Sequence, residues 1–331
     1  MLETANKRPE PELNVSRVTT TVQLSLQERL TPYVAYAALI GLIAFFGATA
    51  PNLFLTANNF EVILQNSAVQ CVVAIGMTFV IIIGSIDLSV GSNMALVGML
   101  AAMASTLVGG LAFFMTPFLG ALIGLINGLL FVYGGVPSFV VTLGMLSVAR
   151  GLTIIVSGGF PVNLPPTGLF TVIGNAPGPF LIVIGLALAA SFLLLKTAFG
   201  RYTLAVGGDE EKARMLGLPV DRLKIAVFTL SGALAGLGGG ILAAEVGAGT
   251  PTMGTGFELT AISAVVIGGT SLTGGSGSIL GTIVGSLVMS TLANGMIILG
   301  ISTNVQLVMT GAVLVGAVML SIQRGKLRVL K

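Results

Sequence analysis

The residue best placed to do chemistry is Asp87. It follows the apolar run Val80-Ile81-Ile82-Ile83 and stands inside Gly84-Ser85-Ile86-Asp87-Leu88-Ser89-Val90-Gly91-Ser92. An ionisable side chain in such surroundings is expensive to bury and is a functional candidate by default. Two uses fit it. Its carboxylate can cap a following helix by accepting from the amides of Ser89 or Val90. It can also contact a solute or gate its passage, and both uses can coexist at a broken helix. Arg150 is the second such group, in the middle of the apolar run Ser138–Ser157. It is expected to form an ion pair that fixes packing, with Asp87, Glu245 or Glu258 as partner, or to reach a water-filled cleft. Glu61, Glu245 and Glu258 stand at the ends of apolar runs, where water makes a charge cheap.

A third candidate is Gly207-Gly208-Asp209-Glu210-Glu211-Lys212-Ala213-Arg214-Met215-Leu216-Gly217-Leu218. Asp209 can cap a short helix, Glu210 and Glu211 fill its first turn, and Gly217 stops it. Such a helix is amphipathic, with Ala213, Leu216 and Leu218 available to a partner; the alternative is an ordinary solvated loop. Other chemistries are excluded. The chain has no histidine, and its single cysteine, Cys71, forbids an internal disulfide or a multi-cysteine metal site. The acids have no metal-ligand spacing, so neither metal nor cofactor is expected. The only Gly-Lys pair, Gly325-Lys326, precedes Leu327, so no phosphate-binding loop for ATP exists. The net charge of +3 does not signal nucleic acid, because Lys and Arg cluster at loops and termini.

The elements that hold these groups are membrane helices. The chain has 331 residues, of which 54% are hydrophobic, and a mean hydropathy of +1.02. Between Gly41 and Leu195 it carries three charges, Glu61, Asp87 and Arg150; between Ile225 and Gln323 it carries two, Glu245 and Glu258. A water-soluble surface cannot be built from so few. Ten apolar segments can be drawn, near 33–49, within 60–84, within 87–108, and near 111–133, 138–157, 180–195 and 223–244. Two more lie in 257–301, broken at Gly268–Gly277, and the last near 305–322. An all-α membrane protein of about ten transmembrane helices is expected, because the runs are continuous rather than alternating as in a barrel. The 46 glycines suit helices packed backbone to backbone. Residues 1–31 read as a cytoplasmic tail, 32–324 as the membrane domain with a charged loop at 196–224, and 325–331 as a second cytoplasmic tail.

Charge sets the orientation. Of 27 charged residues, 15 basic and 12 acidic, ten lie in Lys196–Lys224. That loop, the N-terminal tail and the C-terminus hold nearly all of the Lys and Arg, so all three are expected on the cytoplasmic side. The uncharged loop Gly158–Pro179 would face outward. The chain also repeats itself. Ile83–Ser92 aligns with Ile267–Ser276 at five of ten positions, and Asn127-Gly128 and Asn294-Gly295 each lie near the end of an apolar segment. Duplicated, glycine-broken helices point to a transporter and its pathway.

These motifs resemble the membrane permeases of ribose-type ATP-binding-cassette importers, related to branched-chain amino acid permeases. The resemblance rests on Gly84–Ser92, on Gly207–Arg214 with Gly217, on Pro251-Thr252-Met253-Gly254-Thr255-Gly256-Phe257-Glu258-Leu259, on Ile267–Leu272 and on Asn294-Gly295. It runs from about Phe60 to the C-terminus, with Ser85 where many relatives have glycine. The resemblance implies a transport subunit rather than an enzyme. It implies a multi-pass protein of the bacterial inner membrane that pairs with a second permease copy or paralogue. It further implies cytoplasmic ATPase subunits docked on Gly207–Leu218 and a periplasmic sugar-binding protein. The family's solutes include pentoses, hexoses and the autoinducer-2 signal.

An uncharged sugar suits a pathway of hydroxyls, amides and backbone. The expected pathway and gating residues are Gly84, Asp87, Ser89, Gly91 and Ser92 of the first motif, with Thr273 of the second. Asn66, Gln70, Asn127 and Asn294 join them from the helices. A Ser or Thr in a membrane helix often bonds its own backbone instead. The competing reading is an ion-coupled secondary transporter using Asp87, Glu245 or Glu258.

Overall fold

Apolar runs of this length can satisfy their backbone in lipid only as helices, and the computed structural model shows helices throughout. It describes residues 33–166 and 168–329; the N-terminal tail over 1–31 lies outside the described residues. In chain order the helices are α1 (Val34–Thr49), α2 (Pro51–Phe54), α3 (Ala57–Ile82) and α4 (Val90–Val108). A 3₁₀ turn, Gly109–Met115, leads to α5 (Thr116–Tyr133) and α6 (Ser138–Ser157). Then come α7 (Leu169–Gly174), α8 (Gly178–Lys196), α9 (Ala198–Gly208), α10 (Glu210–Met215) and α11 (Val220–Val246). The last three are α12 (Phe257–Ile267), α13 (Ile279–Ile298) and α14 (Thr303–Val329). Two two-residue strands, Val162–Asn163 and Ala248–Gly249, pair antiparallel.

Each apolar segment drawn from the sequence falls on a helix. Among the described residues, six helical stretches are long and apolar enough to cross a bilayer, one of them the 44-residue run Val90–Tyr133, which contains α4, the 3₁₀ turn and α5. Val34–Thr49, Phe257–Ile267 and Thr303–Met319 are apolar but shorter. Two expectations change. The stretch Lys196–Lys224 is not one loop: it contains α9, α10 and the first turn of α11. The final helix does not stop near Ile322 but continues through Arg324, Lys326 and Arg328, where positive charge is favourable at a helix C-terminus.

Burial divides the helices. Along its most apolar 18 residues α3 is 89% buried, while the same stretches of α6 and α8 are each 17% buried. The centre of the molecule is α3 and α11, and α6 and α8 turn apolar side chains outward, as lipid requires.

Close packing on α11 depends on glycine. Gly120 and Gly124 of α5 face Gly232 and Gly236 of α11, so that a Cβ on Gly232 would lie 2.7 Å from the Gly124 Cα, and one on Gly236 2.8 Å from the Gly120 Cα. With no side chain between them, the two backbones touch, which is how helices gain contact in lipid without a hydrophobic drive. By contrast, a Cβ on Gly185 of α8 would meet nothing within 4 Å. Gly232→Val is therefore expected to destabilise the protein by about 1–3 kcal/mol or more through overpacking, while Gly185→Val is close to neutral. Melting of the detergent-solubilised variants, followed by loss of the monodisperse chromatographic peak, checks this. Equal melting temperatures would remove the backbone-contact account.

Candidate functional site

The first glycine break builds a buried polar centre. α3 ends at Ile82, Gly84 turns the chain at φ +74°, and α4 starts again at Val90. Asp87, in the non-helical stretch between, is 1% exposed. Its Oδ1 accepts from the Ser89 amide at 3.0 Å and from Ser89 Oγ at 2.6 Å. Its Oδ2 accepts from Ser231 Oγ of α11 at 3.0 Å. Asn127 of α5 donates Nδ2 to Ser89 Oγ at 2.9 Å. The carboxylate thus closes a turn on Ser89, the residue that precedes α4, and ties the break to α11 directly and to α5 through Ser89. Ser92 donates to the Ser89 carbonyl at 2.9 Å, the local backbone bond that membrane serines commonly make.

Two members of this centre escaped sequence reasoning. Ser231 lies 144 residues from Asp87 and has no local signal. Asn93 of α4 reaches the carbonyls of Gly120 (3.4 Å) and Gly232 (3.3 Å) through Nδ2. Its signal was available, a lone amide next to Ser92 in an apolar helix. The Oδ1 atoms of Asn93, Asn127 and Asn294 are buried without a hydrogen-bond partner.

The second break meets the first. Between α12 and α13, Gly269, Gly274 and Gly275 all have positive φ. The Gly275 amide donates to the Ile82 carbonyl at 2.9 Å. Gly207, at the end of α9, lies against the same carbonyl, and a Cβ there would also lie 2.6 Å from the Gly275 nitrogen. Both copies of the repeated motif and the Gly207-Gly208 pair therefore touch at one point, backbone to backbone.

The remaining candidates scatter. Gln70 is buried and joins three helices, accepting from Ser290 Oγ at 3.0 Å and donating to the Thr260 carbonyl at 3.4 Å. Asn294 is 6% exposed. Thr273 is exposed and its hydroxyl bonds Ser271 at 2.8 Å. Asn66 is exposed on the first half of α3, away from the Asp87 centre. Gly91 lies against the Gly254 carbonyl and the Glu258 carboxylate.

Arg150 is not ion-paired. Nη1 donates to the carbonyls of Pro251 (2.9 Å) and Met253 (2.7 Å). Among the described residues every ion pair lies between Asp209 and Lys224. The turns at 250–256 leave carbonyls that no helix satisfies, and a guanidinium with several donors answers them. Glu245 and Glu258 are half-buried rather than at an open water interface.

α10 starts and stops where its capping residues require. Asp209 accepts from the Lys212 amide at 3.0 Å, and that bond holds its carboxyl below the usual range. Gly217 ends the turn at φ +78°. Arg214 forks onto Asp221 at 2.7 and 3.3 Å and Lys224 binds Glu210 at 2.7 Å, fastening α10 to the start of α11. One expectation fails here: Ala213 is 2% exposed and packs into the core, while Met215 and Leu216 are 83% and 80% exposed. The short helix turns its small residue toward the protein, so its free apolar face is Met215-Leu216, with Leu218 half-buried.

The sequence that builds this geometry has counterparts among known proteins. The ribose import permease protein RbsC of Escherichia coli K12 is 42% identical over 295 residues, covering 85% of this chain and 91% of the relative. RbsC of Bacillus subtilis 168 is 38% identical over 313 residues, covering 89% and 93%. The xylose transport system permease protein XylH of E. coli K12 is 34% identical over 357 residues, covering 87% and 91%. No solved structure matches the chain. Residues 59–318, which hold both glycine breaks, the Asp87 centre and α10, match one family model throughout. The chain belongs to the family of permease components of branched-chain amino acid transport systems.

Proposed function

We propose that this chain is the membrane permease of an ATP-binding-cassette importer that carries ribose or a closely similar sugar. The observation that carries the mechanism is the junction of Gly207 with Ile82 and Gly275. ATPase subunits close on α10 of two permease copies, and α10 is fastened to α11 by Arg214 and Lys224. A shift of α10 reaches Gly207, three residues before Glu210, and through it both glycine breaks. Backbone packed on backbone has no side chain to absorb such a shift, so the two breaks move together.

In this reading the six longer stretches, with Val90–Tyr133 counted as two crossings and the three shorter apolar helices included, make ten crossings. An even count puts both termini and the Lys196–Lys224 stretch in the cytoplasm of a bacterial inner membrane, as the basic residues prefer. A periplasmic binding protein then delivers sugar on the opposite face. The solute carries hydroxyls and no charge, and the names of the relatives, ribose and xylose permeases, support a pentose. Asp87 serves as the rigid post of the first break, held by Ser89 and Ser231.

Proteoliposomes test the whole. Ribose accumulation is expected only with the ATPase subunit, the binding protein and ATP all present, and is expected to survive a protonophore. Accumulation by the permease alone would sink the reading.

Coupling has its own test. Gly207→Ala forces a Cβ into the Ile82 carbonyl, and Arg214→Glu sets two acids against each other at Asp221. Both are expected to leave membrane insertion intact and to lower sugar-stimulated ATPase activity at least about tenfold. Unchanged activity in both would remove the docking assignment.

For Asp87, the Asn variant retains an acceptor for Ser89, whereas Leu leaves the Ser89 and Ser231 donors unpaired at about 1–3 kcal/mol each. Transport is expected to fall less than about tenfold in Asp87→Asn and to vanish, with lowered melting temperature, in Asp87→Leu. An inactive Asp87→Asn with wild-type melting would instead mark a role for the charge.

A further inference from the structure

The segment between α11 and α12 breaks a rule that lipid enforces, unless it faces water. It runs from Gly247 to Gly256 with positive φ at Gly247, Gly254 and Gly256. Its first residues pair as a short strand with Val162–Asn163, but from Thr250 on its bonds are turns: Met253 N to Thr250 O at 3.2 Å, Thr255 N to Thr252 O at 3.3 Å and Phe257 N to Gly254 O at 3.1 Å. Such backbone belongs in a loop outside the bilayer, yet its neighbours hold it deep. Arg150, which grips it at Pro251 and Met253, stands 12 residues after Ser138 and seven before Ser157. At 1.5 Å per residue that is roughly 18 Å and 10 Å from the ends of α6. Gly254 lies against Gly91 in the first turn of α4, and the Met253 sulfur would lie 3.0 Å from a Cβ on Gly98, in the middle of that helix.

Within the hydrocarbon region, non-helical backbone is tolerated only where protein covers it or where it lines a water-filled cavity. Protein covers Met253 and Gly254, which are buried, but Thr252 and Thr255 are exposed. Arg150, in the membrane-spanning α6, is only half-buried, and a guanidinium facing acyl chains at that depth is costly. The apolar exposed faces of α6 and α8 show what this protein turns toward lipid: Phe139 is 54% and Leu188 68% exposed. The loop surface has the opposite character: the Thr252 hydroxyl, the Thr255 hydroxyl, which donates to the Thr252 carbonyl at 2.7 Å and keeps its lone pairs, and a charge.

We propose that Pro251–Gly256 is an inward-dipping loop that lines the aqueous solute pathway, with Thr252 and Thr255 presented to a neutral polyhydroxylated solute. Arg150 is its positioning residue: the Glu258 carboxylate is near enough to feel its charge, but its hydrogen bonds go to the carbonyls that an interrupted helix leaves at membrane depth. This deepens the sugar-permease reading and rests on it for the identity of the solute, though not for the presence of water.

The chain offers a clean background, since its only cysteine, Cys71, is 2% exposed and can be replaced by Ala. Thr252→Cys, Thr255→Cys and, as the lipid-facing comparator, Leu188→Cys are made in that background. The permease is assembled with its ATPase and binding protein in proteoliposomes and treated with a negatively charged, membrane-impermeant thiosulfonate. Both loop variants are expected to react at least about tenfold faster than Leu188→Cys, to lose ribose flux once modified, and to be slowed several-fold by saturating ribose. Adding Arg150→Leu is expected to abolish the protection by ribose, whereas Arg150→Lys restores part of it. Loop variants as inert as Leu188→Cys in transport-competent protein would overturn the proposal. So would inert loop variants that cross-link between two permease copies, since that places protein rather than water on the loop. Reactivity is read without any transport. Fast reaction in a protein that never imports ribose would sink the sugar reading and leave the aqueous loop standing; ribose import with inert cysteines would do the reverse.

Discussion

In hydrocarbon a peptide group has no water to bond, so each break in a helix must find its partners inside the protein. Everything else in this structure follows from how it meets that demand. The chain breaks its helices repeatedly, at Gly84–Ser89, at Gly247–Gly256 and at Gly268–Ser278, and provides for each. Asp87 takes the Ser89 amide and hydroxyl at the first. Arg150 supplies donors to the second. At the third, Gly275 gives its amide to Ile82, so the third break helps to satisfy the first. One acidic and one basic side chain serve the backbone, each through its own hydrogen bonds.

That arrangement explains why glycine is so abundant. Backbones that must bond or touch one another cannot have side chains between them. Gly120, Gly124, Gly232 and Gly236 bring α5 onto α11, and Asn93 then bridges both helices through their carbonyls. Gly207 joins the two repeated motifs in the same manner. Such contacts are stiff, because displacement of one backbone displaces the next without a rotamer to relax. In the proposed importer, stiffness of this kind would carry a shift of α10 to the two glycine breaks. The ion pairs from Asp209 to Lys224 sit outside the apolar body, where water makes them cheap and individually weak; there they orient α10 rather than hold the fold.

The amino-acid sequence by itself determined whatever depends on near neighbours along the chain. Scarcity of charge makes the chain a helical membrane protein, and each apolar segment became a helix. Asp209 and Gly217 bounded α10 because capping acts over three or four residues. The duplicated motif was visible as Gly84 and Gly268 with their matching neighbours. Motif order alone was specific enough to place the chain in its permease family. Tertiary structure decided what depends on which helix faces touch. It set Ser231 against Asp87 from 144 residues away. It turned Arg150 from an expected ion pair to two carbonyls, and it rotated Ala213 of α10 into the core while leaving Met215 and Leu216 outside. It left Asn66 and Thr273 exposed, away from the Asp87 centre. The reason is geometric. A residue type and its spacing say which groups require partners, but helix crossing and rotation choose the partner, and in this chain those are set by glycine contacts made between distant segments.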